Sequence, residues 1–133
     1  MHLSVRPPDV DRLRSVAAAV AAADPDPVPS DARFVEERRV VGRGAAALAA
    51  GTSVLQEWAM HEHAGVRTDG SALAPGATVG IGARTFGVWM LFACRVTDVD
   101  DGVDRRFGFT YATLPGHPER GRETFTLQHR DDD

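Results

Sequence analysis

The residues best suited to chemistry lie close together between positions 111 and 123. His117 and Glu119 stand two residues apart in a stretch rich in proline and glycine, and Tyr111 precedes them. A histidine near a carboxylate can act as a general base, because its pKa lies near neutrality and the carboxylate raises it. The alternative is structural, since the ring can hydrogen-bond backbone carbonyls and hold the turn. No nucleophile or oxyanion feature accompanies the three residues, which favours the structural role.

Other residues with reactive or metal-binding side chains give weaker signals. Two positions apart on a helix, His61 and His63 would point about 200° apart and could not share a metal, whereas on an extended segment they could. They end a predicted helix, which favours an interaction of histidinium with the helix dipole. No spacing rule supports a mixed site of His61, His117 and Glu119. Cys94 lies in an apolar strand and is predicted to be inert. We therefore predict no metal and no cofactor.

A predicted hairpin positions the first of these groups. Phe107, Phe109 and Tyr111 alternate with small residues, which predicts a strand that packs closely on its small-residue face. A second alternating run follows at 123–127. Prolines and glycines between 115 and 121 cannot continue a central strand. The pattern therefore predicts two paired strands joined by a long, shaped loop.

The chain before residue 65 is predicted to be mainly helical. Asp9 is a suitable N-cap for a helix over 10–23, and a polar stretch with three prolines then predicts an exposed connection. The segment 34–41 suits either a strand or a helix. A second helix is predicted from about 45 to 62. Gly51 within it costs about 1 kcal/mol relative to alanine, so it either argues against the helix or marks a close contact with the sheet.

Further strands are predicted on either side of a central one. A short strand covers 2–6, and 77–83 reads as a strand whose two glycines admit a close neighbour. The most apolar stretch, 86–99, has apolar residues on both faces, as in a strand covered on both sides. A turn at 100–102 leads into the hairpin strand. The sum is an α+β fold, with an antiparallel sheet of about four to five strands packed on one or two helices.

Composition excludes several classes of protein. A length of 133 residues predicts one domain over 1–133. All 15 basic residues are arginine, as expected from a GC-rich coding sequence, and the net charge is −4. General attraction to nucleic acid or to an anionic membrane is therefore not expected. No apolar run is long enough to span a bilayer and the start lacks a signal-peptide core, which predicts a cytoplasmic protein. The single cysteine fits a reducing compartment.

The stretch 105–127, RRFGFTYATLPGHPERGRETFTL, is similar to the signature of domain-of-unknown-function family nineteen-ninety, whose members carry a run close to GFAYGTLPGHPExGEExF. The resemblance covers about 34–128, so 1–33 is an N-terminal helix with a proline-rich connection. Ala112 and Arg122 depart from the family pattern, which has Gly and Glu there. Family members continue through another strand and a C-terminal helix, so the resemblance implies a shortened chain. Further matches occur at 42–44, Trp58, His61, 64–66, 75–76 and 94–96. The resemblance favours the strand over the helix at 34–41.

The order of the elements, with helices near the start and a curved sheet after them, is similar to part of a helix-grip fold, in which the sheet wraps a long C-terminal helix around a cavity for small apolar ligands; here that helix would be absent. Together with the family resemblance, this implies a non-catalytic module that binds a small apolar ligand or lipid. Arg95 lies in so apolar a strand that it needs a partner, Glu119 or Glu123, unless it reaches solvent from an edge. The predicted ligand-binding residues are Trp89, Arg95, Phe107, Phe109, Tyr111, His117 and Phe125, and Leu91 is expected on the same cavity wall.

Two alternatives remain open at this stage. One is an enzyme in which His117, Glu119 and Tyr111 act on a ligand at the mouth of the cavity. The other is an interaction protein that is stable as a homo-oligomer, because an exposed concave apolar face demands a partner.

Overall fold

An antiparallel sheet organises the chain, and the computed structural model describes residues 2–101 and 105–130. Within these ranges the sheet has six strands in the order β2-β3-β4-β5-β6, and β1 pairs with β4 off this path. The predicted α+β class and antiparallel sheet are confirmed. The turn predicted at 100–102 lies partly outside the described residues. The elements are β1 His2–Ser4, α1 Val10–Val20, α2 Gly44–Gln56, α3 Ala59–His63, β2 Val66–Thr68, β3 Thr78–Thr85, β4 Val88–Asp100, β5 Arg106–Thr113 and β6 Arg122–Gln128.

Strand β4 is central and buried on both faces, as its two-sided apolar pattern predicts. On one face, Leu91 packs with Leu13 of α1. On the other, Cys94 and Val96 belong to a cluster that includes Trp58 at the start of α3. The two faces are therefore separate cores, and residues that alternate along β4 enter different ones.

Helix α1 begins as the sequence predicts and lies very close to the sheet. The Asp9 side chain accepts a hydrogen bond from the Arg12 backbone N–H at 2.8 Å, which caps the first turn. At Gly80 an added Cβ would lie 2.1 Å from the carbonyl oxygen of Leu13. The glycine in β3 is therefore what lets the helix backbone approach the strand. The chain after α1 is held too, because Asp26 donates its backbone N–H to the Thr113 carbonyl at 2.9 Å.

The segment 34–41, predicted as a strand or a helix, is neither. Phe34 and Val41 are 87% and 79% exposed. Glu36 pairs with Arg38 two residues on, a spacing that brings side chains together in extended backbone. A strand also requires a neighbouring strand for its backbone hydrogen bonds, and the described sheet ends at β6 without reaching this segment.

The helix predicted over 45–62 is interrupted near its end. Trp58 has a φ of 61°, in the left-handed region, and separates α2 from α3. This break directs the indole into the core, where Trp58 is 1% exposed and its Nε1–H donates to the Ser71 carbonyl at 2.8 Å. The predicted close contact at Gly51 is confirmed, since a Cβ there would lie 2.9 Å from Cδ1 of Leu127. No helix in the described part of the chain is long and apolar enough to cross a membrane.

Candidate functional site

An aromatic cluster connects α3 with the inner face of β5 and β6. The ring centroids of Trp58 and His61 lie 5.1 Å apart, and those of His61 and Phe125 lie 5.3 Å apart. Phe109 and Phe125 are 5.1 Å apart, and Tyr111 and Phe125 are 5.8 Å apart. Most of these pairs meet edge to face, the arrangement that aromatic quadrupoles prefer. We call Trp58, His61, Phe109, Tyr111 and Phe125 the aromatic cluster.

The strand register brings the cluster together. Phe109 and Tyr111 share a face of β5 because they are two residues apart. Phe109 pairs with Phe125, and Tyr111 pairs with Glu123, so β6 extends the same face. His61 follows Trp58 by three residues, the spacing that puts two side chains on one side of a helix. The break at Trp58 therefore positions both rings over the strands.

A short hydrogen-bonded chain runs through the cluster to the protein surface. His61 Nε2 lies 3.2 Å from the hydroxyl oxygen of Tyr111, and the Tyr111 hydroxyl donates to Oε2 of Glu123 at 3.4 Å. Since the hydroxyl hydrogen is directed to Glu123, its oxygen accepts the Nε2–H of His61. We call these three residues the polar chain. It satisfies a buried imidazole and ends at an exposed carboxylate.

Burial shifts the pKa of each member toward its neutral form. It lowers the pKa of His61. It also raises the pKa of Tyr111 far above its ordinary value, and the negative charge of Glu123 adds to this effect. Partial burial raises the pKa of Glu123, although the hydrogen bond from Tyr111 acts in the opposite direction. Near pH 7 His61 and Tyr111 are therefore fixed neutral hydrogen-bonding groups, poorly suited to passing protons.

The outer end of the polar chain lines a cleft of about 1320 Å³. One wall is the segment 28–42, apart from Ser30, and the other is formed by 119–130, apart from Phe125. Ala47 and Leu48 of α2 contribute apolar surface. Glu123 and Leu127 project from the same face of β6 into this region. The cleft therefore combines apolar surface with charged side chains, and among its carboxylates Glu123 is the one held from behind by the half-buried Tyr111.

The loop between β5 and β6, residues 114–121, carries His117 and Glu119, and we call it the signature loop. Both residues help to hold the shape of this loop. Nδ1 of His117 accepts the backbone N–H of Glu119 at 3.0 Å, which pins the loop. The ring packs on Phe92 with centroids 4.1 Å apart, and burial lowers the pKa of His117, outweighing the charge of Glu119. The Glu119 side chain is exposed. The ring bonds to the backbone, as the structural interpretation proposed. It accepts from the Glu119 amide N–H, however, and does not donate to a backbone carbonyl.

The predicted ligand-binding residues do not share one cavity. Phe107 and Phe109 lie in the core under α2 and α3. Trp89 and Leu91 belong to the other core, under α1, so placing them on the same cavity wall was wrong. Each strand shows its own alternation, but the sequence does not show which side of one strand continues which side of the next.

Arg95 also lies outside the cluster, and its predicted acidic partners were wrong. Its Nε donates to Oγ1 of Thr78 at 3.0 Å, and its Nη2 donates to the Ala21 carbonyl at 2.8 Å. The side chain thus ties the end of α1 to the sheet. Neutral oxygens satisfy this half-buried guanidinium, so it needs no carboxylate.

Cysteine and metal chemistry have no support in the structure. Cys94 is buried, and burial together with the charge of Glu123 raises the pKa of its thiol to about 12, so it remains protonated. His61 points into the aromatic cluster while His63 is exposed. Across 2–101 and 105–130, no group of three or more His, Cys, Asp or Glu could hold a metal ion.

The sequence analysis missed the joint role of His61 and Glu123. Both were weighed for other roles, His61 as a metal ligand and Glu123 as a partner of Arg95. A signal was present in β6, because Glu123 alternates in phase with Phe125 and Leu127. A carboxylate on the apolar side of a strand needs a hydrogen-bond donor, which the half-buried Tyr111 provides.

The fold and site define a small α+β domain with an aromatic core, a polar chain and an adjoining cleft. The model of the family described as Domain of unknown function (DUF1990) matches residues 16–133, and the chain belongs to this family. The predicted family is thus confirmed, and the match begins within α1, earlier than predicted.

Two curated relatives share the name UPF0548 protein. A UPF0548 protein from Deinococcus radiodurans is 37% identical over 114 residues, which cover 75% of this chain and 56% of the relative. A UPF0548 protein from Dictyostelium discoideum is 37% identical over 60 residues, 42% of this chain and 28% of the relative. The chain thus spans about half the length of the first relative and about a quarter of the second. No solved structure matches significantly, so the helix-grip likeness stays a prediction. The cytoplasmic location also stays a prediction.

Proposed function

We propose that this protein is a non-catalytic module that binds a small, largely apolar molecule carrying one hydrogen-bond donor. The ligand lies in the cleft, with its apolar part against Leu48 and Leu127 and its donor group directed to Glu123. Ligand sites in proteins are concave and mostly apolar, with a few polar groups that fix orientation.

The arrangement of Glu123 is the observation that carries this proposal. The residue is exposed at the cleft, yet partial burial of its carboxylate against the polar chain raises its pKa. Ionised, it offers about four lone-pair sites, of which the bond from Tyr111 uses one. A hydroxyl or amine on the ligand would regain the hydrogen bonding that partial burial removes. The polar chain holds the carboxylate in place, so little ordering entropy is lost on binding.

The properties of the candidate bases support binding over catalysis. General acid–base catalysis works best with a group whose pKa lies near the working pH. Burial moves the pKa of Tyr111 far from that range, and His117 uses Nδ1 to hold its own loop. On the binding proposal, His117→Ala leaves ligand affinity near that of the wild type. A substrate whose turnover is abolished by His117→Ala would favour the enzyme instead.

Native mass spectrometry of the purified chain is the first test. We expect a reproducible added mass, removable by denaturation, in the range of a small metabolite or fatty acid. The neutral apolar dye Nile red then serves as a probe of the cleft, with fluorescence as the readout. Glu123→Gln should lower the affinity for the copurified ligand by about 10-fold or more, since a hydrogen bond to a charged group contributes about 1.5–3 kcal/mol.

A matched control separates this effect from a general loss of charge. Glu119 also lines the cleft and is exposed like Glu123, but it lies outside the polar chain. Glu119→Gln should therefore leave ligand occupancy unchanged. Absence of both a bound mass and Nile red binding would refute the proposal. Equal loss in the two variants would show that Glu123 has no specific role.

A further inference from the structure

The turn between β3 and β4 carries a phenylalanine that the fold does not bury. Thr85 pairs with Val88, so Phe86 and Gly87 form a two-residue hairpin turn. The Phe86 side chain is fully exposed. We call residues 84–88 the hairpin tip. A ring in water gains no packing or hydrophobic stabilisation, so Phe86 does not serve the stability of the single chain.

The backbone of the turn also suits phenylalanine poorly. Both turn residues have positive φ, 51° for Phe86 and 79° for Gly87, as in a type I′ turn. Such turns prefer asparagine, aspartate or glycine at the first position, because a bulky side chain is strained at positive φ. Phe86 is therefore unfavourable for folding on two counts. Strained residues cluster at functional positions, which makes the hairpin tip a candidate contact surface.

Further exposed apolar side chains lie beside the hairpin tip. Strand β1 pairs with the beginning of β4, which places the start of the chain next to the turn. Leu3 and Val5 are 61% and 81% exposed there. The Pro8 ring packs on Gly82, so the segment after β1 follows the hairpin. The tip is thus a small apolar projection and not a single exposed ring.

The charged residues at this end of the sheet are basic. Arg6 and Arg84 are exposed, and the Arg67 guanidinium lies over the Trp89 ring, 5.3 Å from its centroid. Aspartate and glutamate do not occur in the segments that build this end, which are 2–8, 64–68 and 82–91. The next acidic residue along the chain, Asp9, caps α1. The local charge is therefore positive in a chain whose net charge is −4.

We propose that the hairpin tip docks on the surface of a membrane that contains anionic phospholipids. Phe86 enters the interfacial layer, where apolar and aromatic side chains are favoured. Arg6 and Arg84 pair with lipid phosphates, which match the planar guanidinium group. The rest of the chain is acidic and is repelled by the same surface, so the charge distribution orients this end toward the membrane.

The shape of the hairpin tip favours a membrane over a protein partner. A stable protein interface buries about 800 Å² on each side and requires a broad complementary surface. A two-residue turn is narrow and convex. A bilayer interface requires no complementary shape and accepts a projecting ring flanked by basic residues.

Membrane docking goes beyond the proposed ligand site, because the two surfaces are separate. The residues that line the cleft fall within 28–48 and 119–130, outside the hairpin tip. The tip lies at the beginning of β4, whereas β6 ends beside the far end of that 13-residue strand, roughly 40 Å away. Vesicle binding without the copurified ligand, or the ligand without vesicle binding, would therefore separate the two proposals.

Flotation with phospholipid vesicles tests the docking. The chain should float with vesicles of phosphatidylcholine and phosphatidylserine in equal amounts, but not with phosphatidylcholine alone, and added salt should weaken the binding. Phe86→Asn should lower binding about 10-fold or more, because it removes the ring that is buried in the interface. Arg84→Gln should lower it about 5-fold, the contribution of one basic residue near an anionic surface.

Two comparisons separate docking from general effects on the protein. Asparagine suits positive φ, so Phe86→Asn should unfold at a higher urea concentration than the wild type. Loss of vesicle binding by a more stable variant cannot result from misfolding. Phe34 is 87% exposed but lies at the cleft, so Phe34→Asn is the matched control and should leave vesicle binding unchanged.

Several outcomes would overturn the proposal. They are an absence of binding to the anionic vesicles, equal binding to both kinds of vesicle, and equal loss in Phe86→Asn and Phe34→Asn. A dimer that Phe86→Asn converts to monomers, observed by light scattering together with an absence of vesicle binding, would assign the hairpin tip to a second copy of the chain instead.

Discussion

Replacing Tyr111 by phenylalanine tests the polar chain with least disturbance. Tyr111→Phe keeps the ring that packs on Trp58, Phe109 and Phe125, and deletes only the hydroxyl. That hydroxyl is the link between His61 and Glu123. The substitution therefore separates the hydrogen bonds from the aromatic packing, which most other changes in the cluster cannot do.

The expected loss is about 2 kcal/mol in the free energy of unfolding at pH 7. Both hydrogen bonds are long, at 3.2 Å and 3.4 Å, so each is expected near the low end of the range of about 0.5–1.5 kcal/mol. The larger part comes from His61, which is 7% exposed and is left with an unsatisfied ring N–H. An unpaired buried polar group costs about 1–3 kcal/mol.

Urea unfolding followed by tryptophan fluorescence measures this loss, because Trp58 lies in the aromatic cluster. The denaturant slope should stay unchanged, since the same surface is exposed on unfolding. A double-mutant cycle with Glu123→Gln should show non-additive effects, because the two residues share one hydrogen bond. A change below about 0.5 kcal/mol for Tyr111→Phe would refute the idea that the hydroxyl satisfies His61.

Two further predictions concern pH and packing. Burial places the pKa of His61 in the folded state below its ordinary value of 6.5. The stability that the buried neutral ring contributes is therefore complete above about pH 6.5 and is lost as the pH falls. The free energy of unfolding, measured from pH 7 to pH 5, should decline less steeply for His61→Gln than for the wild type, and an unchanged slope would contradict the assignment. Gly80→Ala places a Cβ 2.1 Å from the Leu13 carbonyl oxygen and should cost about 3 kcal/mol or more by thermal or urea unfolding, because backbone cannot yield cheaply. Gly82→Ala, whose nearest neighbour is the Pro8 ring at 2.9 Å, should cost clearly less, and equal losses would argue against the close approach of α1.

Local patterns predicted much of the fold. The alternation of Phe107, Phe109 and Tyr111 predicts β5, and the run of apolar residues on both sides of β4 predicts its double burial. Asp9 marks the start of α1 because capping depends on neighbouring residues only. Each of these signals depends on a few consecutive positions.

The site could be predicted only in part. The signature loop drew attention to His117, which the structure uses to hold the loop through Glu119. His61 and Glu123 are 62 positions apart in the chain, and no sequence spacing indicates that Tyr111 joins them. Their meeting depends on the pairing of β5 with β6 and on the left-handed turn at Trp58.

By itself, the sequence determined the family, the α+β class, the helix cap and the strands with a clear two-residue period. The tertiary structure decided that Trp89 and Phe109 enter different cores, that Arg95 bonds to neutral oxygens, and that 34–41 lies outside the sheet of the described residues. The physical reason is that alternation along one strand is unchanged when its neighbour shifts by one residue, although that shift exchanges the two faces. Register and partners are properties of the assembled sheet, and the chemistry of the site follows from them.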